Sequence, residues 1–445
     1  MQNYFVDIFP VYVSEHERTI EKLSGLYNNQ KLLQKSISDL IAKHFQPDMI
    51  NDKRILLKPN WVKHSINEPD EICLRTHDNF LLATLEIILK YKPASVLIGD
   101  APIQGCKWDN VVASDLALKV DLTSKKHGIP VEIKDFRRVV FSPSKNNPVK
   151  DRNPLSDYII FDLGKESYLE PITDAKKNVF RVTDYDPDKL AESHGPGVHK
   201  YCITKELFNA DVVISLPKVK THQKAGITAA LKNLVGVNGD KDYLPHHRIG
   251  GSGHGGDCYP GNNLLRSWSE FALDFANRRQ GKWWYVIGRK ISGALWRLSF
   301  PGQEHHLGAA WHGNDTTWRM VLDLNKVAVY GNADGTLSKH PQRQVFSLCD
   351  GIIGGQGDGP LRPEPLPLGI ISFTNHSGMN DLAMATLMQF EISKIAMLRE
   401  IKILSKKDKI ELSWNNSKIK LKDLDSFSIV AKAPPGWTNH LKDRQ

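Results

Sequence analysis

The chain has 445 residues, 40% of them hydrophobic and 24% charged, which is the balance of a globular protein long enough for two domains. Its formal net charge of +9 favours anionic ligands, yet the basic residues are spread along the chain and no nucleic-acid-binding motif is present, which argues against a nucleic-acid partner. The five cysteines are scattered with no close pair, so no iron–sulfur cluster is expected, and an odd, unpaired set reads as reduced thiols in a cytoplasmic protein.

Residues 1–50 read as a helical lead-in, with a helix around Lys22 to Phe45. Ile55-Leu56-Leu57 is a short strand that ends in Lys58-Pro59-Asn60-Trp61. Thr76 is the expected cap of a helix from His77 to Leu89, where Phe80, Leu81, Leu85, Ile88 and Leu89 recur at helical spacing. Ser95 to Gly99 is the next strand and finishes at Asp100. This strand–helix–strand order predicts a parallel sheet. Shorter strands follow in VEIKDF, YIIFDL and NVFRVT, separated by a polar, proline-containing loop over 142–157.

The richest stretch is Asp211 to Asp257. Val212-Val213-Ile214 is a β-branched strand, closed by Pro217, which has no N–H for a ladder. Lys218, Lys220, Thr221 and His222 follow at its carboxyl end. Gly226 to Val235 reads as a helix that turns Ile227, Leu231 and Leu234 to the core and Lys232 and Asn233 to a cleft. A glycine-rich loop then carries Lys241, His246, His247, Arg248, His254 and Asp257.

Leu264 to Phe300 is helical and rich in tryptophan. Its basic, aromatic part, 278–300, reads as a helix clamped to its own domain with arginines snorkelling outward; the alternative is peripheral contact with a membrane interface. Thr316 to Tyr330 is a helix. Val345 to Cys349 is a strand running into Asp350 and a glycine loop, GIIGGQGDGP. Leu368 to Phe373 is a strand that ends near Asn375, and Met379 to Met388 is a helix. The tail after Ser405 reads as a small β extension.

Asn60, Asp100, Lys218, Asp350 and Asn375 all close predicted strands, so strands sharing one direction would line a crevice with them. Lys218, Lys220, Lys232 and Asn233 are the expected anion-binding set, because strand-end lysines beside a helix start suit negative charge. No Walker A loop is present. His222, His254 and Asp350 are the expected acid–base residues. His222, His246, His254 and Asp257 are the candidate ligands of a divalent metal. Adjacent His246 and His247 point opposite ways in extended backbone, so at most one of them ligates. Cys258 is either a soft ligand or a buried small hydrophobe. Asp358 and Asp381 are further candidate bases, ligands or partners for the lysines.

Pro217-Lys218-x-Lys220-Thr221-His222 and Gly226-x-Thr228-x-Ala230-x-Lys232-Asn233-Leu234-x-Gly236 resemble the core of the domain of unknown function 362 family. Lys58-Pro59-Asn60, the Pro245 to Asp257 loop, and Asp350-Gly351-Ile352 leading to Gly357-x-Gly359-Pro360 extend the match. The resemblance names no activity. Some members join this domain to a ferredoxin module, which this chain lacks. The family is distantly similar to the nickel-pincer lactate racemase, whose site uses His and Lys between two α/β lobes.

The expected fold is α/β and two-lobed, with mainly parallel sheets, flanking helices, a helical insertion and a small C-terminal β extension. The expected segments are 1–50, 51–260, 261–344 and 345–445. The expected function is an enzyme acting on an anionic small molecule or glycan precursor. The alternative is a non-catalytic or membrane-peripheral protein holding a lipid-linked or polyanionic partner.

Overall fold

Four apolar runs and the alternating VEIKD build the centre of the molecule. In the computed structural model, which describes residues 4–141, 149–174, 178–299 and 308–442, they form adjacent parallel strands of one 12-stranded sheet. The first part of the predicted 142–157 loop, and Phe300, lie outside the described residues. In chain order the strands of this sheet are β1 (Tyr4–Pro10), β2 (Arg54–Pro59), β3 (Ser95–Asp100), β4 (Val131–Asp135), β5 (Val212–Leu216), β6 (Lys218–His222), β7 (Gly226–Thr228), β8 (Gln344–Gln356), β9 (Glu364–Leu366), β10 (Ile370–Thr374), β11 (Ile410–Trp414) and β12 (Ser417–Lys418). Their order is β12-β11-β1-β10-β8-β5-β2-β3-β4, with β6 paired to β7 and β8, and β9 to β8. Strands β4, β3, β2, β5 and β8 run parallel, whereas β10 is antiparallel to β8.

The pleat explains why β2 and β5 read as continuous apolar runs. Leu56 and Val213 enter the core on one face, while Ile55, Leu57, Val212, Ile214 and Leu216 enter the core on the other. Both faces are covered, as a parallel sheet requires. Helices Asp78–Lys90 and Gln30–Ile41 pack on one face, and Thr317–Tyr330 and Ser377–Leu387 on the other. Strands from 51–260 and from 345–445 therefore share a single sheet. A separate three-stranded antiparallel sheet, Tyr158–Asp162, Val198–Thr204 and His194–Gly195, packs with helix Thr317–Tyr330: Phe161 and Tyr201 join the core of that face and the Tyr201 hydroxyl donates to Asp323.

Local departures from the expected elements have physical causes. The lead-in helix is two, Ile20–Asn28 and Gln30–Ile41, because Asn29 caps the second by accepting from Leu32 N. Helix Asp78–Lys90 is capped by His77; Thr76 instead accepts from Asn60 N and donates to the Leu216 carbonyl. The predicted helix from Gly226 begins as strand β7, which folds back on β6, with Gly226 at φ +81° making the turn. Only Ala230–Asn233 is α-helical there. The glycine run after Asp350 is not a loop: β8 continues through Gln356, since Gly354 and Gly355 let β9 and β6 pack against it. The last part of the predicted β extension, 427–432, is the end of a 3-10 turn followed by coil.

The helical insertion holds the largest surprise. Helices Leu264–Asn277 and Trp283–Ser299 form an antiparallel hairpin whose polarity is inverted. The first buries Arg266, Ser269, Glu270, Asp274 and Asn277 along with Leu273 and Ala276, and exposes Leu264, Leu265, Trp268 and Phe271. The second is buried only at Gly288, Ser292 and Trp296, against the expectation of a helix clamped to its domain. Close approach is allowed because Gly288 lies against Ala276 and Ser269 donates to the Ser292 carbonyl. No helix among the described residues is long and apolar enough to cross a membrane.

Candidate functional site

The carboxyl ends of β2, β3 and β6 open onto a cleft of about 540 Å³. Asn60 follows β2, Asp100 ends β3, and Lys220 and His222 lie on β6. The turn after β7 contributes Lys232 and Asn233, and the loop beyond supplies Lys241 and His246. Segment 182–185, with Thr183, Asp184 and Tyr185, closes the opposite wall.

Lys220, Lys224, Lys232 and Lys241 all line the cleft, among largely apolar neighbours. The Lys220 amine, fully buried, donates to the carbonyls of Leu74 and Pro360. The Lys241 amine donates to the Ala101 carbonyl at 2.9 Å, and Lys224 reaches only the Thr183 hydroxyl at 3.5 Å. No carboxylate pairs with Lys220, Lys224, Lys232 or Lys241 among the described residues. Burial and then mutual repulsion push Lys232 down to about 7; burial also brings Lys220 to about 7. Burial lowers Lys224 and Lys241 to about 8. Beneath them the Lys58 amine donates to Asp100 Oδ1 at 2.7 Å and to Asn233 Oδ1 at 3.3 Å.

The cleft's three carboxylates are already engaged. Asp100 accepts from Lys58, from Trp61 N and from Ala101 N. Asp184 pairs with Arg289, and Asp358 accepts from the Gln223 amide. Meanwhile Asn60 Oδ1, Gln104 Oε1 and Thr228 Oγ1 line the cleft, each buried without a hydrogen-bond partner. Orphaned buried polar atoms are costly unless a ligand or water meets them.

The two histidines differ in what they present. His222 Nδ1 accepts from Lys224 N at 3.0 Å, which places the ring proton on Nε2. His246 Nδ1 donates to the Leu244 carbonyl at 2.6 Å, which leaves Nε2 with a free lone pair. Burial, then the lysines, holds both well below the usual imidazole range, so both rings are neutral. One ring offers a donor to the cleft and the other an acceptor.

Several expected site residues lie elsewhere. Lys218 and Asp350 do not line the cleft. They form a sealed pair at 2.8 Å, and the Tyr27 hydroxyl donates to Asp350 at 2.5 Å, with all three side chains fully buried. Asp350 register-pairs with Lys218 across β8 and β6, so its side chain is spent inside the sheet. His254 is exposed on the glycine loop. Asp257 is buried and anchors that loop by accepting from Arg248 N, Asp315 N and Thr316 Oγ1. His222, His246, His254 and Asp257 thus do not converge on one centre. Asn375 sits at the opposite sheet edge, accepting from Phe5 N, because β10 runs antiparallel. Asp381 caps the short helix beneath Lys232, accepting from Ala230 N and Leu231 N.

Ile227, Leu231 and Leu234 are buried in the core while Lys232 and Asn233 line the cleft, although Ile227 reaches the core from strand β7 and not from the expected helix. Lys224, Gln104 and the 182–185 wall were not singled out from the sequence. Lys224 follows the strand-end motif by two residues, and a count of cations near that strand end would have found it.

A family profile described as a domain of unknown function, DUF362, matches residues 164–386, half of the chain. The chain belongs to this family. The DUF362 match contains β5 to β8 and the histidine loop; the Asn60 and Asp100 side of the cleft precedes it. Among solved structures, a crystal structure of a Thermotoga maritima protein shares 8% identity at a TM-score of 0.32. That alignment covers 85% of this DUF362 chain and 59% of the other. No curated protein matches.

Proposed function

We propose that this DUF362 protein is an enzyme that binds an anionic small molecule, or an anionic glycan precursor, in the lysine-lined cleft and moves a proton on it. One observation carries the reading: uncompensated lysine amines and orphaned polar atoms share a cleft whose carboxylates are all engaged. A cleft of about 540 Å³ has the size of a small-molecule site. In this reading Lys220, Lys224 and Lys232 hold the anion. His246 Nε2 is the general base, and the His222 Nε2–H stabilises charge that develops on the substrate. Asn233 holds Lys58 and β2 in place. If the cleft takes a divalent metal, His222 and His246 are the imidazoles available to it. Native mass spectrometry of the purified protein tests the reading. A retained anion that Lys220→Met and Lys232→Met release supports it; a protein that neither retains nor takes up small anions overturns it.

A second reading rests on the hairpin. Trp268, Phe271, Trp283 and Leu298 are each more than 60% exposed, and Trp268 meets Phe271 edge-on while Trp283 stacks on Trp284. Lys282, Lys290 and Arg297 accompany it, and Arg289 ties it to Asp184 at the cleft wall. Such a face suits peripheral membrane contact with aromatic residues at head-group depth, which would place a lipid-linked anion at the cleft. Flotation with vesicles separates this reading from one of a protein with no membrane contact.

A further inference from the structure

Among the described residues, one group of His, Cys, Asp or Glu side chains offers a ligand atom from each of three within 4.8 Å of one another: His247, Cys258 and Glu270. All three are buried, and they come from three different pieces of chain. His247 stands on the two-residue strand paired with Phe180–Arg181, Cys258 at the end of the glycine loop, and Glu270 on the buried polar face of helix Leu264–Asn277. His247 Nδ1 is buried with no hydrogen-bond partner, on a ring only 3% exposed. Such an atom is either wasted or meant for a ligand.

We propose that His247, Cys258 and Glu270 form a divalent metal site, best suited to zinc, separate from the cleft. The donor set is one imidazole, one thiolate and one carboxylate, all of them zinc ligands, with a fourth position left for water. The charges balance: a thiolate and a carboxylate offset a divalent cation, so the loaded site is neutral and compatible with burial. Binding releases the thiol proton and the carboxyl proton to solvent. Without a cation, burial pushes Glu270 up to about 7, raises Cys258 well above its usual range and lowers His247, so all three resist charge.

The surroundings are built as an outer shell. Gly250 N donates to both Glu270 oxygens, at 3.0 and 3.2 Å, and Cys258 N donates to the Gly250 carbonyl at 3.0 Å. Arg181, whose charge bears on His247 and Glu270, is held by Asp274 at 3.0 Å. Lys224, on the cleft side, and Arg266, beside Cys258, are the cationic neighbours that oppose a bound cation. The extended backbone sends His246 to the cleft and His247 to this cluster, so a metal here fixes the wall that carries the cleft base. It also ties the glycine loop to the helical hairpin.

The test uses the full chain, stripped with a chelator and titrated with Co²⁺, then with Zn²⁺. A thiolate-to-cobalt charge-transfer band is expected in the wild type, absent in Cys258→Ser and retained in His246→Ala and in Cys202→Ser. Glu270→Gln should weaken Zn²⁺ binding at least about tenfold. X-ray absorption of the wild-type zinc protein needs no variant and should show sulfur in the metal shell. No band in the wild type, a zinc shell without sulfur, or a Cys258→Ser protein that folds and keeps the band would each overturn the proposal.

Discussion

Lys218 and Asp350 show how a residue can be conspicuous in sequence and still leave the site. Both close predicted strands, where ligand-binding groups gather, but Asp350 lies in the middle of β8 and the β6–β8 register sets it beside Lys218. Sequence spacing fixes which face a side chain takes within one strand and says nothing about the neighbour across the ladder. Asp350→Asn should therefore destabilise the fold by about 3–5 kcal/mol in chemical denaturation, because it leaves a buried ammonium without its counter-charge. The Lys218→Met, Asp350→Leu double variant should recover most of that loss; a double variant as unstable as the single one would contradict a structural ion pair. Lys220 and Lys232 are the reverse case. Their amines sit at about 7 in the fold against an ordinary 10.5. Their protonated forms are thus penalised fully below about 7, and the penalty fades as pH rises toward 10.5, so these groups make the free protein more stable over that window. Anion binding has the opposite sign. Affinity should be greatest below about 7, fall as pH rises through the lysine range, and be accompanied by proton uptake, which calorimetry in buffers of different ionisation enthalpy will show. An affinity that is flat from pH 6 to 9 would remove these lysines from the site.

At the scale of elements, the parallel strands and most long helices were legible because β-branched runs and helical spacing survive tertiary packing. Val212–Leu216, Asp78–Lys90 and Thr317–Tyr330 lie within a residue or two of their expected bounds. The glycine-rich segments were not legible. Gly354 and Gly355 signal close approach of another backbone, which a strand supplies as well as a loop does. The hairpin failed for another reason: its helical periodicity is real, but its apolar face points outward. Hydrophobic pattern alone does not tell which side meets protein. This inversion predicts binding to vesicles containing anionic lipid, weakened by salt because the flanking cations contribute. Replacing Trp268, Phe271, Trp283 and Trp284 with serine should abolish flotation while leaving the melting temperature within a few degrees, since these side chains bury little in the free protein. A wild-type chain that stays in the soluble fraction at low salt would reject the membrane reading without touching the anion site.

In the whole molecule, one doubly covered sheet places Asn60, Asp100, Lys220 and His222 at its carboxyl edge, and the inserted 182–185 segment turns that edge into a cleft. The sequence could name Lys220, His222, Lys232, Asn233 and His246, because all five lie in the one polar stretch that runs from β6 through the short helix to the histidine loop. It could not name the opposite wall, whose residues acquire meaning only from the fold. The central claim is that this cleft is an anion site built from unpaired lysines. Its most direct measurement is calorimetric titration of inorganic phosphate, and of a small dicarboxylate, into the full chain at pH 6.5, comparing wild type with Lys232→Met. The variant removes one desolvated amine without opening an ion pair, so it should fold at least as stably as wild type. The account predicts saturable binding of at least one of the two anions by wild type, weakened about tenfold or more (about 1.4 kcal/mol) by the substitution. Equal affinity in the two proteins, or no binding of either anion to a well-folded wild type, would contradict it.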